Sequence, residues 1–414
     1  LAILSSRISG NAGSGFMYTG LVTAGCSGIL GAFWAVNNIK YVEKKRRQEE
    51  TRRFDTYSQY LIQSTEKIKK LYNHNRQILF ERYLSAEEIL SNEGDVPRNL
   101  WGRNQNHGDF LYYRLGIGDI PFQVQITIPK EHFSMVEDSL AEKPGLIKEN
   151  FKTLKAVPVG IDLMKHTLLG IAGGENKKGA DSILFNLVTQ IATQNCYTDV
   201  KLVFLSKSEE YSERWNFALW LPHVWSESRK FRFTAFNKTD AGEVIFELTE
   251  ILRRRFEQQG NGDIENQKNY LPYYIFFVED EDLISGELIE KYIYCQEKKL
   301  GLTTVFLAEH YEDLPNSCEC IIQNDENFRG ICNVKTGEAG KQEIQFDSIE
   351  QEQVNILARK MSPMRVNERE IGGEIPSSIS FFELYGISSP EELKAEERWR
   401  RNRVFESIKA LIGV

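Results

Sequence analysis

Three patterns of hydrophobic positions follow one another along the chain. From Phe16 to Ile39 the run FMYTGLVTAGCSGILGAFWAVNNI is apolar on every side and carries no formal charge over 24 residues. At about 1.5 Å per residue a helix of that length crosses a bilayer core of roughly 30 Å, so the run predicts a transmembrane helix over about 16–39. A cleaved signal peptide has a shorter apolar core with positive charge before it. Here the positive charge follows, at Lys40, Lys44, Lys45, Arg46, Arg47, Arg52 and Arg53. By that asymmetry the bulk of the chain is expected on the cytoplasmic side of the membrane. Leu1 to Ser14 is then expected on the far side or as the frayed end of an earlier span, and a start on LAIL without Met suggests a piece of something longer. Within the span Gly20, Ala24, Gly28 and Ala32 recur every four residues. Such stripes of small side chains let membrane helices approach closely, and helix–helix contact through this one is the expectation.

The second pattern is helical and charged. Lys40 to Leu90 has no Gly or Pro, and Phe54, Tyr57, Leu61, Ile68 and Leu71 recur at spacings of three, four and seven. One or two long helices are predicted, with a stripe narrow enough for one partner helix. Acids interleave with the bases, so the charge reads as a solvated face.

The third pattern alternates strand with helix. Around Asn106-His107-Gly108 and Gly116-Ile117-Gly118 the chain suggests two or three strands with tight turns, followed by VPVGIDL at Val157 to Leu163. Strands are then predicted at Thr167 to Ala172, Asp199 to Ser206, Tyr273 to Glu279 and Thr303 to Ala308, and helices at Ser182 to Thr193, Ala241 to Gln258 and Gly286 to Lys299. Near-continuous apolar strands between helices mean a parallel sheet covered on both faces. The organisation is therefore a membrane anchor (1–39), a helical stalk (40–95), an α/β module (96–360) with a small β-rich subregion at its start, and a linker (361–414).

Composition narrows the chemistry. The net charge of -8 over 414 residues, with no continuous basic groove, argues against a nucleic-acid partner. The six cysteines, Cys26, Cys196, Cys295, Cys318, Cys320 and Cys332, lie mostly in apolar runs without ligand spacing, so neither a disulfide framework nor a metal site is expected.

Ligands of such sheets bind beyond the carboxyl ends of the strands. There the chain carries Gly173-Gly174-Glu175-Asn176-Lys177-Lys178-Gly179-Ala180-Asp181 between a strand and a helix. A working phosphate-binding loop reads GxxxxGK[ST], its lysine reaching the β and γ oxygens and its hydroxyl holding magnesium. Here the lysines precede the last glycine and Ala180 replaces the hydroxyl. Asp181 puts a carboxylate where phosphate would sit, and that carboxylate is a candidate cap for the helix. Glu279 and Asp280 end another strand on the same rim, where a nucleoside triphosphatase places a magnesium ligand and a water-activating acid. Without the lysine and hydroxyl they read as solvated loop acids, with Glu281 and Asp282, capping the next helix. His223, beside Trp215, Trp220 and Trp225, reads as a packing residue among core tryptophans. Arg253-Arg254-Arg255 read as cations at a helix C-terminus.

Further residues resemble the FtsK/SpoIIIE-type ATPase of type VII secretion, the EssC/YukB/EccC group, over nearly the whole chain. Leu100-Trp101, Arg103, Asp109-Phe110-Leu111 and Arg114-x-Gly116-x-Gly118 are similar to its LWxR…DFLxxRxGxG element. Trp220-Leu221-Pro222-His223-Val224-Trp225 resembles WLPHxW, and Leu314-Pro315-Asn316-x-Cys318 resembles LPxxC. Ile375 to Gly386, followed by Arg398-Trp399, is similar to the linker leading into a further, catalytic module. The resemblance implies a RecA-like P-loop-type fold and a hexameric, membrane-bound motor. It further implies export of WXG-type proteins beside other secretion components. It also implies that this first module is degenerate, so no catalytic residue is carried over and ATP with Mg is not expected to be required in this segment. The remaining readings are a nucleotide-binding regulatory module using Lys177 or Lys178 with Glu279 or Asp280, and a DNA translocase. Trp399 is expected to pack on a neighbouring module.

Overall fold

The computed structural model describes residues 15–91, 100–128, 142–208, 210–259, 270–295, 298–334, 340–366, 381, 387 and 389–401. Two compact units are distinguished, Leu1–Ser362 and Pro363–Val414. In chain order the helices are α1 (Gly15–Arg82), α2 (Ala86–Leu90), α3 (Lys143–Asn150), α4 (Lys178–Gln194), α5 (Glu210–Arg214), α6 (Lys238–Gln258), α7 (Glu290–Ile293), α8 (Gln351–Met361) and α9 (Ala395–Arg401). The strands are β1 (Tyr112–Pro121), β2 (Thr153–Asp162), β3 (Leu168–Ala172), β4 (Val200–Leu205), β5 (Thr234–Ala235), β6 (Tyr273–Val278), β7 (Leu302–Ala308), β8 (Cys320–Asn324), β9 (Arg329–Asn333) and β10 (Lys341–Phe346).

Membrane candidate and stalk are one helix, the 68-residue α1. Nothing in its sequence after Lys40 breaks it, because Gly and Pro are absent there. From Gly20 to Thr56 every side chain except that of Cys26 is exposed, including the stripe of Gly20, Ala24, Gly28 and Ala32. This is the one helix among the described residues that is long and apolar enough to cross a membrane. The later part of α1 lies against β2, where the Tyr72 hydroxyl accepts from the Lys155 amide at 2.7 Å. Leu61 is buried there, and the Tyr72 ring meets Phe122 and Phe151 at 5.4 and 5.7 Å. Lys143 of α3 lies over the Phe54 ring, while a strand, β2, is a packing partner of this later part of α1. Phe54 and Leu71, the two expected stripe members off that contact, stay exposed.

The sheet has ten strands in the order β2-β1-β10-β9-β8-β3-β7-β6-β4-β5. Strands β5, β4, β6, β7, β3 and β8 pair in parallel. The other four continue the same sheet in antiparallel fashion. The expected parallel core is therefore present, and the β-rich subregion is part of its antiparallel extension. In place of two or three strands near Gly116, one strand runs through both glycines. A Cβ on Gly116 would stand 2.1 Å from the Gln345 carbonyl oxygen, so its glycine serves the close approach of β1 and β10 and not a turn. The helix expected from Gly286 to Lys299 shortens to the four residues of α7.

Alternate strand residues face opposite layers, as the two-residue period requires. Val203, Leu205, Tyr274, Phe276, Leu302 and Phe306 join α6 through Val244, Leu248 and Leu252 in one buried cluster. On the other face Phe204 meets Phe277, Trp215 and Phe217, and Phe217 meets Phe185 of α4. That arrangement buries α4 almost entirely and fixes the glycine turn at its start.

Candidate functional site

β3 ends at Ala172 and α4 begins at Lys178, leaving five residues to reverse the chain. Gly174 adopts φ 69°, ψ -162°, a region essentially confined to glycine, and Asn176 and Lys177 are both left-handed at φ 54°. The turn is closed on itself. The Gly179 amide donates to the Gly173 carbonyl at 2.8 Å, and a Cβ on Gly173 would lie 2.1 Å from the Ala180 nitrogen. Gly179 in turn lies against β8, where a Cβ would meet the Asn324 carbonyl oxygen at 1.9 Å.

The charges of the rim are paired across it. Lys177 Nζ donates to Glu279 Oε1 at 2.5 Å and to the Glu279 carbonyl at 3.1 Å. Both side chains are largely buried, 17% and 10% exposed. Glu279 is accordingly not a solvated loop acid, and Ser206 Oγ donates to its other oxygen at 3.4 Å. Asp280 pairs with Lys207 and accepts from the Asp282 amide, capping the turn Glu281–Leu283. Burial acts to raise the Asp280 pKa, but Lys207 and the cap bring it below the usual carboxylate range.

Asp181 does not cap α4. Its carboxylate accepts from Arg214 Nη1 at 3.2 Å and Trp215 Nε1 at 3.4 Å, while Arg214 Nη1 also donates to the Asn176 carbonyl at 3.0 Å. The Tyr211 ring lies between the two cations, 5.9 Å from Lys177 and 5.2 Å from Arg214. Carboxylate and cation thus alternate around the turn from Glu279 to Asp181.

This donor set does not fit a triphosphate with magnesium. The lysine is engaged by Glu279, and both strand-end acids face ammonium groups. No hydroxyl follows the last glycine, and the Gly179 amide is bonded within the turn. Lys178, by contrast, is exposed.

Burial raises Asp181 to about 6, against the pull of Arg214. The folded chain therefore holds this proton more tightly than the unfolded one, and the stability it lends is complete below about pH 4 and lost as pH rises through about 6. Two units correspond to roughly 3 kcal/mol. Buried His223, pushed down to about 4, has the opposite slope. The measurement is thus the difference between wild type and Asp181→Asn in denaturant midpoint from pH 4 to 7. Wild type is expected to lose stability relative to the variant across that window, and parallel profiles would refute the assignment.

A second cluster joins the stalk to the sheet. Arg103 Nη2 donates to the Arg82 carbonyl at 3.3 Å and Nη1 to the Tyr112 carbonyl at 2.8 Å. Arg114 Nη1 donates to the Tyr83 carbonyl at 2.9 Å, and Nε lies 2.7 Å from Asp347 as an ion contact. These arginines satisfy carbonyls at the C-terminal end of α1. Gln190 brackets the Arg114 backbone, accepting from its amide at 2.9 Å and donating to its carbonyl at 2.6 Å. Trp101 Nε1 donates to the Ala192 carbonyl at 3.0 Å. Helix α4 therefore runs from the glycine turn at one end to the stalk joint at the other.

Other singled-out residues fall as follows. His223 is buried, with Nε2 2.9 Å from the Asn195 carbonyl oxygen. Trp215 is core, whereas Trp220 and Trp225 are partly exposed under Arg359 and Arg232. Arg255 stands in the last turn of α6, as expected, but is buried and donates to the Leu300 and Pro272 carbonyls at 2.9 and 2.8 Å. Ile375 to Gly386 lies outside the described residues apart from Phe381, and Trp399 on α9 is exposed. Lys207, Tyr211 and Arg214 carry no sequence signal as partners of the turn, since only the fold brings them to it.

Comparison with known proteins adds the family context. No family model matches the chain. The ESX secretion system protein EccC of Geobacillus thermodenitrificans is 25% identical over 374 residues, covering 90% of this chain and 25% of that protein. The ESX secretion system protein YukB of Bacillus subtilis is 23% identical over 383 residues, covering 91% and 25%. The type VII secretion system protein EssC of Staphylococcus aureus is 23% identical over 374 residues, covering 90% and 25%. The chain thus spans about a quarter of the length of these curated relatives. Among solved structures, EssC ATPases 2 and 3 from Geobacillus thermodenitrificans align with TM-score 0.41 and 12% identity over 64% of this chain and 51% of that one. EccC ATPases 2 and 3 of Thermomonospora curvata, in complex with a signal sequence peptide, align with TM-score 0.40 and 13% identity over 61% and 47%.

Proposed function

We propose, from the premise that this chain is a homologue of the EccC, YukB and EssC proteins of type VII secretion, that it is the membrane-proximal coupling block of a secretion motor. Its long helix anchors it in the membrane, and its ATPase-type module works without nucleotide chemistry of its own. The observation that carries this is the Lys177–Glu279 ion pair, which spends the lysine and the strand-end acid of a nucleotide site on each other. The Arg103 and Arg114 contacts support the coupling role, since they tie the end of α1 to the helix that begins at that turn.

In this reading nucleotide hydrolysis, and the export of WXG-type proteins that it drives, belong to modules beyond this segment. The segment itself contacts the membrane, further copies of the motor and other secretion components, and no nucleic acid. The competing reading, a regulatory nucleotide site, draws on exposed Lys178. Titration of the full chain in detergent with labelled ATP and magnesium separates the two. No saturable binding is expected below about 1 mM, the level of a contact worth about 4 kcal/mol. Micromolar, magnesium-dependent binding that is lost in Lys177→Gln/Lys178→Gln would overturn the proposal.

A further inference from the structure

We infer that the first turns of α1 beyond its apolar run form a binding site for anionic phospholipid headgroups, built on Lys40 and Lys44. The inference rests on the membrane-anchor reading of α1. Helix α1 leaves the apolar run at Ile39 without a break and stays exposed, so about 14 residues, roughly 20 Å of helix, precede the Phe54 ring, over which Lys143 of α3 lies at 4.9 Å. Cations in this stretch are not equivalent. Lys45 and Arg46 face Glu49 and Glu50 one turn on at 4.0 and 3.8 Å, and Arg47 is bonded to Glu43 at 2.7 Å. Lys40 and Lys44, the two nearest the apolar run, have no ion-pair or hydrogen-bond partner among the described residues. They stand one turn apart and flank a shallow groove along the helix that Glu43, Arg47, Arg52 and Asp55 also line.

Depth agrees with a headgroup. The interfacial layer is about 5–7 Å thick on each side of the hydrocarbon, and four residues of helix advance about 6 Å. Lys40 therefore lies at the inner edge of that layer and Lys44 at its outer edge, each with a stem long enough to adjust. Tyr41, 66% exposed, stands at the same boundary, where amphipathic rings settle. Glu43 is the one acid within this turn, and Arg47 neutralises it. What remains is two unneutralised ammonium groups facing the layer that carries lipid phosphate.

The test reconstitutes the full chain in phosphatidylcholine bilayers and measures, by electron spin resonance, the association of spin-labelled phosphatidylglycerol relative to spin-labelled phosphatidylcholine. A basic residue at the surface favours anionic lipid by about 1 kcal/mol, or about fivefold, so a preference of at least about fivefold is expected. Lys40→Gln/Lys44→Gln should bring it below about twofold, and Lys45→Gln/Arg46→Gln, which removes equal charge from paired positions, should leave it intact. Equal association of the two lipids with wild type, no loss in the first variant, or the same loss in both variants would each overturn the inference. Flotation with the vesicles is scored alongside: a chain that fails to float overturns the anchor reading as well, whereas one that floats without lipid preference overturns the headgroup site alone.

Discussion

Lys177→Ala is expected to destabilise the Leu1–Ser362 unit by about 3–5 kcal/mol, and Lys177→Met/Glu279→Met by less than about 1.5 kcal/mol. The asymmetry follows from desolvation. Removing the lysine leaves the Glu279 carboxylate, 10% exposed, with only a long contact from Ser206. Removing both charges takes away the penalty together with the attraction, and two methionines fill comparable volume. The order single below double decides whether the pair is a structural replacement for a bound ligand. Denaturant midpoints of the full chain in detergent give it. A single variant within about 0.5 kcal/mol of wild type would show a solvated, unimportant contact. A double variant worse than the single would show that the charges hold the turn in some further way.

The second large effect is expected at the stalk joint. Arg114→Met should cost about 3–5 kcal/mol, because it strands Asp347 and uncaps the Tyr83 carbonyl in one step. The side chains are 7% and 17% exposed, so water replaces little of what is lost. Burial already raises the Asp347 pKa against the pull of Arg114, and in the variant that carboxyl should take up a proton well above the usual range. Arg114→Lys is expected to recover less than half of the loss, since one ammonium cannot reach Tyr83 and both Asp347 oxygens together. Limited proteolysis between Arg82 and Ser91 should quicken in both variants. Unchanged cleavage with an unchanged midpoint would remove the joint from the coupling reading.

The elements that sequence reveals best are those whose pattern has a local cause. An uncharged apolar run followed by seven cations, and an unbroken stretch without Gly or Pro, are each legible residue by residue, as are the four apolar strands of the parallel core. Strands β8, β9 and β10 are not legible in that way. Their burial is irregular because each lies partly at the surface, and the two outer partners of this antiparallel run, β3 beside β8 and β1 beside β10, are distant in the chain. The GxG of β1 misleads for a related reason, since glycine there admits a neighbouring strand and bends no chain.

Sequence by itself determined that the turn Gly173 to Asp181 lacks the lysine and hydroxyl order of a phosphate loop, that acids end the strand before Glu281, and that a long helix precedes the module. Composition and order are local facts, readable without coordinates. Only the tertiary structure decided what those residues do instead. Lys177 and Glu279 are 102 positions apart and Asp181 and Arg214 are 33 apart, yet they meet because β3, β6 and the segment after β4 end on one rim of the sheet. Charge pairing depends on distance and on exclusion of water, and neither is encoded in spacing along the chain. That is why a carboxylate read as a helix cap is bound to an arginine and a tryptophan, and why an acid read as solvated is held by a buried lysine.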